Sequence, residues 1–163
     1  MHTNTETNER ELMLASLRAF VRRRPGFDWH NYGDAASYRA DVRRAGRDLR
    51  EAEELLRAVT LRPSCALSPK QAGRLTWDAG EKRWDYVTGQ YFPTEYRAAA
   101  CRVLASALWD WYAESLPKHK LTHTHNQESG EITERYEGLR AGDWIRRQAR
   151  IDLGPRLARR WFS

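Results

Sequence analysis

Between Asp34 and Pro63 the residues Tyr38, Val42, Ala45, Leu49, Ala52, Leu56 and Val59 follow one another in alternating steps of four and three. That spacing is a helical seam of the coiled-coil kind, and a helix carrying it must bury the seam against a neighbour. The chain is thereby committed to one long helix with an antiparallel partner. Asp34 is placed to be its N-cap, and Pro63 bars its continuation. The small Ala45 and Ala52 let the partner come close. The other face carries Arg39, Arg43, Arg47 and Arg50, then Glu51, Glu53, Glu54 and Arg57. Arg47–Glu51, Arg50–Glu54 and Glu53–Arg57 are spaced as i,i+4 pairs, each worth a few tenths of a kcal/mol. Arg39 and Arg43 have no acid four residues on, so this end of the face is basic.

The partner is a helix from Asn8 to Arg23, with Met13, Leu14, Leu17, Phe20 and Val21 on one stripe. Arg22-Arg23-Arg24 falls in its last turn, and Pro25-Gly26 is its stop. Residues 27–33 form an aromatic connector whose rings plug into the core. Two short strands, residues 73–78 and 83–87, flank the turn Ala79-Gly80-Glu81-Lys82, with Trp84 and Tyr86 on one face. A helix from Pro93 to Leu116 is apolar around much of its circumference and is expected at the centre of the fold. Residues 118–137 are polar and read as a second, exposed hairpin, with strands 121–125 and 131–136. Asp143 is placed to cap a helix to Leu153, and Gly154-Pro155 stops it. A closing amphipathic segment, Arg156 to Phe162, completes a basic C-terminal helical region in which Trp144, Ile151, Leu157 and Trp161 point inward. The fold class is therefore mainly α with small β-hairpins (α+β). An antiparallel helical hairpin, a buried third helix and a basic C-terminal helix make one domain over residues 1–163, with residues 1–8 as a disordered tail.

Seven Trp and seven Tyr in 163 residues supply a core and argue against a disordered chain. The most apolar run, Ala98 to Trp109, is broken by Arg102 and is shorter than a membrane span. The polar, net acidic start is no signal peptide, and Cys65 and Cys101 make no disulfide framework. A cytoplasmic location is the expectation. The net charge of +6 comes from 24 Arg against 4 Lys and 22 acids. The excess lies in residues 18–62 and 143–163, flanking a neutral middle. Arginine forks match phosphate and carboxylate, so an anionic partner is implied.

Sites that would carry chemistry are sparse. His119, His123 and His125 cluster, and Glu131 is a third donor type nearby, but a structural metal site usually needs four ligands. Asp28, His30 and Asp34 are better read as a cap and polar loop residues than as a base with its orienting acid. There is no Gly-x-Ser-x-Gly and no phosphate loop, and Cys101 reads as an inert buried thiol. No catalytic residue, metal or cofactor is expected. The segment 143–162 has features of a helix-turn-helix, but Ala149 to Gly154 is one residue too long for the usual turn. Only nine residues follow Gly154, short for a reading helix. The candidate binding surface is Arg39 and Arg43 with Arg146, Arg147, Arg150, Arg156, Arg159 and Arg160. These two sets make one cationic surface if their helices pack side by side.

The segments Phe20 to Gly33, Thr88 to Arg97 and Leu139 to Arg147 resemble small uncharacterised proteins of plasmids, integrative elements and phages of GC-rich bacteria. The resemblance spans about residue 12 to the end and brings no catalytic residues. It implies a neighbourhood of anti-restriction and anti-CRISPR factors. Many such inhibitors are acidic DNA mimics, from which a charge of +6 departs. The reading is thus a non-enzymatic binding protein acting through Arg-rich surfaces on nucleic acid or a nucleoprotein defence complex. The alternatives are a DNA-binding transcription regulator with a degenerate helix-turn-helix and a small enzyme without a readable motif.

Overall fold

The computed structural model describes residues 3–23, 32–70, 75–86 and 93–163. Its elements are α1 (Thr3–Arg22), α2 (Ala35–Thr60), β1 (Leu75–Asp78), β2 (Arg83–Tyr86), α3 (Pro93–Glu114), β3 (Leu121–His125), β4 (Ile132–Tyr136), α4 (Ala141–Leu153) and α5 (Pro155–Trp161). The strands form two separate antiparallel ribbons, β1–β2 and β3–β4, so the fold is mainly α with small hairpins. Among the described residues no helix is long and apolar enough to cross a membrane. The chain divides into two compact units, residues 1–107 and 108–163, with the division inside α3.

In the first unit α1 is helical from Thr3, ahead of the expected start at Asn8 and through most of the expected tail. It buries Leu14, Leu17 and Val21. The expected stop at Pro25-Gly26 and the connector at 27–31 lie outside the described residues. Asp34 caps α2 by accepting from the Ser37 backbone N–H at 2.6 Å. That bond holds its carboxyl below the usual carboxylate range.

The seam of α2 needs correcting in phase. Ala45, Ala52, Leu56 and Val59 are buried as expected, but Leu49 is half-buried and Val42 is 39% exposed. Leu55 fills the place instead, beside the carboxylates Asp48 and Glu51, both buried. Glu51 therefore does not sit on the solvated charged face, and Arg47–Glu51 is not a surface pair. Arg47 approaches Asp48 at 3.7 Å, and Glu53 pairs across to Arg22 at 2.8 Å instead of with Arg57.

Two arginines close this helical hairpin. Arg10 of α1 donates to the carbonyls of Val59 (2.6 Å), Arg62 (2.9 Å) and Cys65 (2.9 Å), where α2 ends. The last carbonyls of a helix have no partner within it and carry the negative end of its dipole, so a guanidinium suits them. Arg97 of α3 does the same where α1 ends. It donates to Val21 (2.8 Å) and Arg23 (3.3 Å), and also to Ala45 of α2 (2.7 Å). The Tyr96 hydroxyl also donates to the Arg23 carbonyl. Since Arg10 reaches the end of α2 while Arg97 joins Val21 to Ala45, α1 and α2 run antiparallel.

α3 is buried on several sides in this unit, through Tyr96, Ala99, Ala100, Cys101, Val103, Leu104 and Ala107. One turn on from Arg97, the Cys101 thiol faces the Asp48 carbonyl at 3.6 Å. Cys65 is buried too, with its thiol 3.4 Å from the Ala107 carbonyl. In the first ribbon Asp78 accepts from the Gly80 and Glu81 backbone N–H groups at 3.0 and 3.1 Å, which shapes the expected turn. Trp84 is buried and donates its indole N–H to the Met13 carbonyl at 2.9 Å, pinning the ribbon to α1. The Tyr86 side chain lies outside the description.

Candidate nucleic-acid interface

The second unit comprises residues 108–114 of α3, the β3–β4 ribbon, α4 and α5. α4 starts earlier than expected: Arg140 is the N-cap residue, and Asp143 lies in the first turn rather than capping it. Gly154 ends α4 with φ +87°, a conformation costly for a residue with a Cβ, and Pro155 begins α5 at once. α4 buries Trp144, Ile145 and Ala149, and α5 buries Leu157 and Ala158. Ile151, expected inward, is 67% exposed: it shares the flank of the buried Trp144 but lies in the last turn of α4, beyond what covers that flank. Trp161 is half-buried. Phe162 completes the core against Trp109, with ring centres 6.5 Å apart, and Tyr112, whose hydroxyl donates to Asp152 at 2.6 Å.

The arginines of this unit divide by what holds them. Arg146 donates to the Phe162 carbonyl at 2.9 Å, approaches Asp143 at 3.4 Å and lies 5.3 Å from the Trp109 ring centre. Arg147 donates to Glu137 at 2.7 Å, and Lys120 joins the same carboxylate at 3.4 Å. Arg160 lies over the Trp161 ring at 4.7 Å. Arg146 and Arg147, both on the candidate binding surface, are thus engaged in the fold. Asp143 of the same helix and Glu137 of the turn after β4 supply the acids. Arg150, Arg156 and Arg159 are exposed and carry no ion pair among the described residues. Arg156 and Arg159 sit on the side of α5 opposite its buried Leu157 and Ala158. In the first unit Arg39 and Arg43 of α2 are likewise exposed and without an ion pair among the described residues, whereas Arg44 approaches Asp41 at 3.6 Å.

Glu137 ties the second ribbon to α4. It follows β4 in a left-handed turn with φ +51°, next to Gly138 at φ +81°. The Arg147 hydrogen bond, and then Lys120, hold its carboxyl below the ordinary glutamate range. A carboxylate with a depressed folded pKa contributes stability above its unfolded pKa and loses it as the pH falls through the folded value. The melting temperature of the native chain should therefore exceed that of Glu137→Gln at neutral pH. The gap should close as the pH drops below about 4. Melting curves with a constant gap from pH 3 to 7 would remove Glu137 from this role.

His123 and His125 lie on the exposed second ribbon, and His119 lies in the short helical turn just before it. His123 faces Glu134 at 3.7 Å, not Glu131, and His125 pairs in register with Ile132. Among the described residues no group of three or more His, Cys, Asp or Glu is placed to hold a metal ion. Asp28 and His30 lie outside the described residues. The link between α4 and α5 is the single residue Gly154, shorter than the three- or four-residue turn of a helix-turn-helix. At seven residues α5 spans only about 10 Å. No family model, curated protein or solved structure matches the chain.

Proposed function

We propose that this chain is a non-enzymatic binding protein that holds nucleic acid through the exposed arginines Arg150, Arg156 and Arg159 of its second unit. One observation carries the reading: Arg150, Arg156 and Arg159 carry no ion pair among the described residues, while Arg146 and Arg147 of the same unit are neutralised within the fold. Charge that the fold does not use is available to a partner, and arginine forks match phosphate oxygens. The resemblance to proteins of mobile elements supplies the setting, an accessory factor that acts on nucleic acid or on a nucleoprotein defence complex of the host.

Fluorescence anisotropy with labelled single- and double-stranded DNA and RNA tests this. Each phosphate contact releases counterions, so three contacts to duplex DNA should weaken binding about fortyfold between roughly 50 and 200 mM salt. Reversing Arg150, Arg156 and Arg159 to Glu should abolish binding and leave the melting temperature nearly unchanged. Arg147→Glu should lower that temperature, because it faces Glu137. If neither DNA nor RNA is retained at low salt, the nucleic-acid reading fails and an acidic protein face becomes the partner to seek. Sequence-selective retention by a dimer would instead favour the transcription regulator.

A further inference from the structure

In the first unit α1 and α2 enclose an open groove of about 290 Å³, lined by Arg18, Arg22, Glu53, Leu56, Arg57 and Leu61. From its lining we infer a second binding site, for a small organic oxyanion that carries a short apolar group. Of the three arginines, only Arg22 is neutralised, by Glu53 at 2.8 Å. Arg18 and Arg57 carry no ion pair among the described residues, so two like charges face one concave space. An oxyanion in the groove can accept charge-assisted hydrogen bonds from either guanidinium.

The rest of the lining sets the size and character of the ligand. Leu56 is 1% exposed and forms an apolar floor, while Leu61 on the rim is 73% exposed. Thr60 does not compete as a donor, because its hydroxyl is committed to the Leu56 carbonyl at 2.6 Å. Arg22 and Glu53 neutralise each other, which leaves Arg18 and Arg57 as the uncompensated charges of the lining. The volume equals that of about ten liquid waters, enough for a compact ligand and below the usual range for drug-sized ones. A carboxylate and a phosphate monoester share this chemistry. The site is separate from the arginines of the proposed nucleic-acid interface, so the two readings fail independently.

Calorimetric titration of the full chain at low ionic strength with hexanoate, hexyl phosphate and hexanol tests the inference. At least one anion should bind saturably, and hexanol should not. Arg18→Gln/Arg57→Gln should weaken binding roughly tenfold or more, whereas Arg50→Gln/Arg102→Gln, exposed in the same unit and with the same change in charge, should leave it within about twofold. Binding of hexanoate alone assigns a carboxylate, binding of hexyl phosphate alone assigns a phosphate monoester, and binding of both supports the shared oxyanion chemistry. Amide shifts of the native chain on titration should centre on residues 18–22 and 53–61, which decides the matter if the double variant does not fold. No saturable anion binding, equal binding of hexanol, equal weakening in both variants, or shifts centred elsewhere would each overturn it.

Discussion

Replacing Arg97 by Met should lower the unfolding free energy by roughly 3–5 kcal/mol, as read from urea denaturation. The side chain is 6% exposed, and its three hydrogen bonds go to backbone carbonyls of α1 and α2. Methionine keeps much of the apolar stem but leaves the carbonyls of Val21, Arg23 and Ala45 without this donor. A hydrogen bond from a charged donor is worth about 1.5–3 kcal/mol, so three lost together exceed what one surface contact is worth, although the Arg23 carbonyl keeps the Tyr96 hydroxyl. Removing the guanidinium also takes a positive charge from the first unit, where Asp48 and Glu51 are buried on the face of α2 that includes Ala45. Arg97→Lys should recover only part of the loss, since an ammonium cannot reproduce the planar fork. A loss below about 1 kcal/mol for Arg97→Met would mean that water already serves these carbonyls.

The second large effect separates two phases of the long helix. Leu55→Ala should cost roughly 2–5 kcal/mol, the range for a fully buried leucine, while Val42→Ala should stay within about 0.5 kcal/mol. Leu55 is fully buried and Val42 is 39% exposed, although only Val42 belongs to the apolar seam of the sequence. Equal losses at the two positions would restore the original phase. The cause lies in the helical repeat. A strict seven-residue pattern drifts about 20° per heptad on a straight helix. From Tyr38 to Val59 there are three heptads, so the stripe turns by about 60° unless the helices supercoil. The end near Ala52, Leu56 and Val59 stays on the core, and the end near Val42 rotates out.

What was legible in the chain was what depends on neighbours in sequence. The turn Ala79 to Lys82, the Asp34 cap, the apolar girth of α3 and the Gly154 stop all follow from local rules. What was not legible depends on contacts across elements. A guanidinium bonded to carbonyls has the same letters around it as one in water, so Arg10 and Arg97 carried no signal. Glu51 was misplaced because charge argues for solvent, and only the buried face of α2 shows otherwise. The partner of Arg147 is not legible along α4, because Glu137 comes from a turn ten residues before it. For the binding surface, exposure of Arg39, Arg43, Arg150, Arg156 and Arg159 followed from helical position, but which arginines were already engaged did not.

The paired closures by Arg10 and Arg97 bear on how the hairpin opens. Helix ends ordinarily fray one residue at a time, with little cost to the rest. Here the end of α2 is held by a side chain rooted in α1, and the end of α1 by one rooted in α3. Neither terminal turn can unwind without releasing a guanidinium that belongs to another helix. The low-lying partial openings that isolated helix ends would allow are thereby removed, and α1, α2 and the start of α3 tend to come apart as one cooperative body.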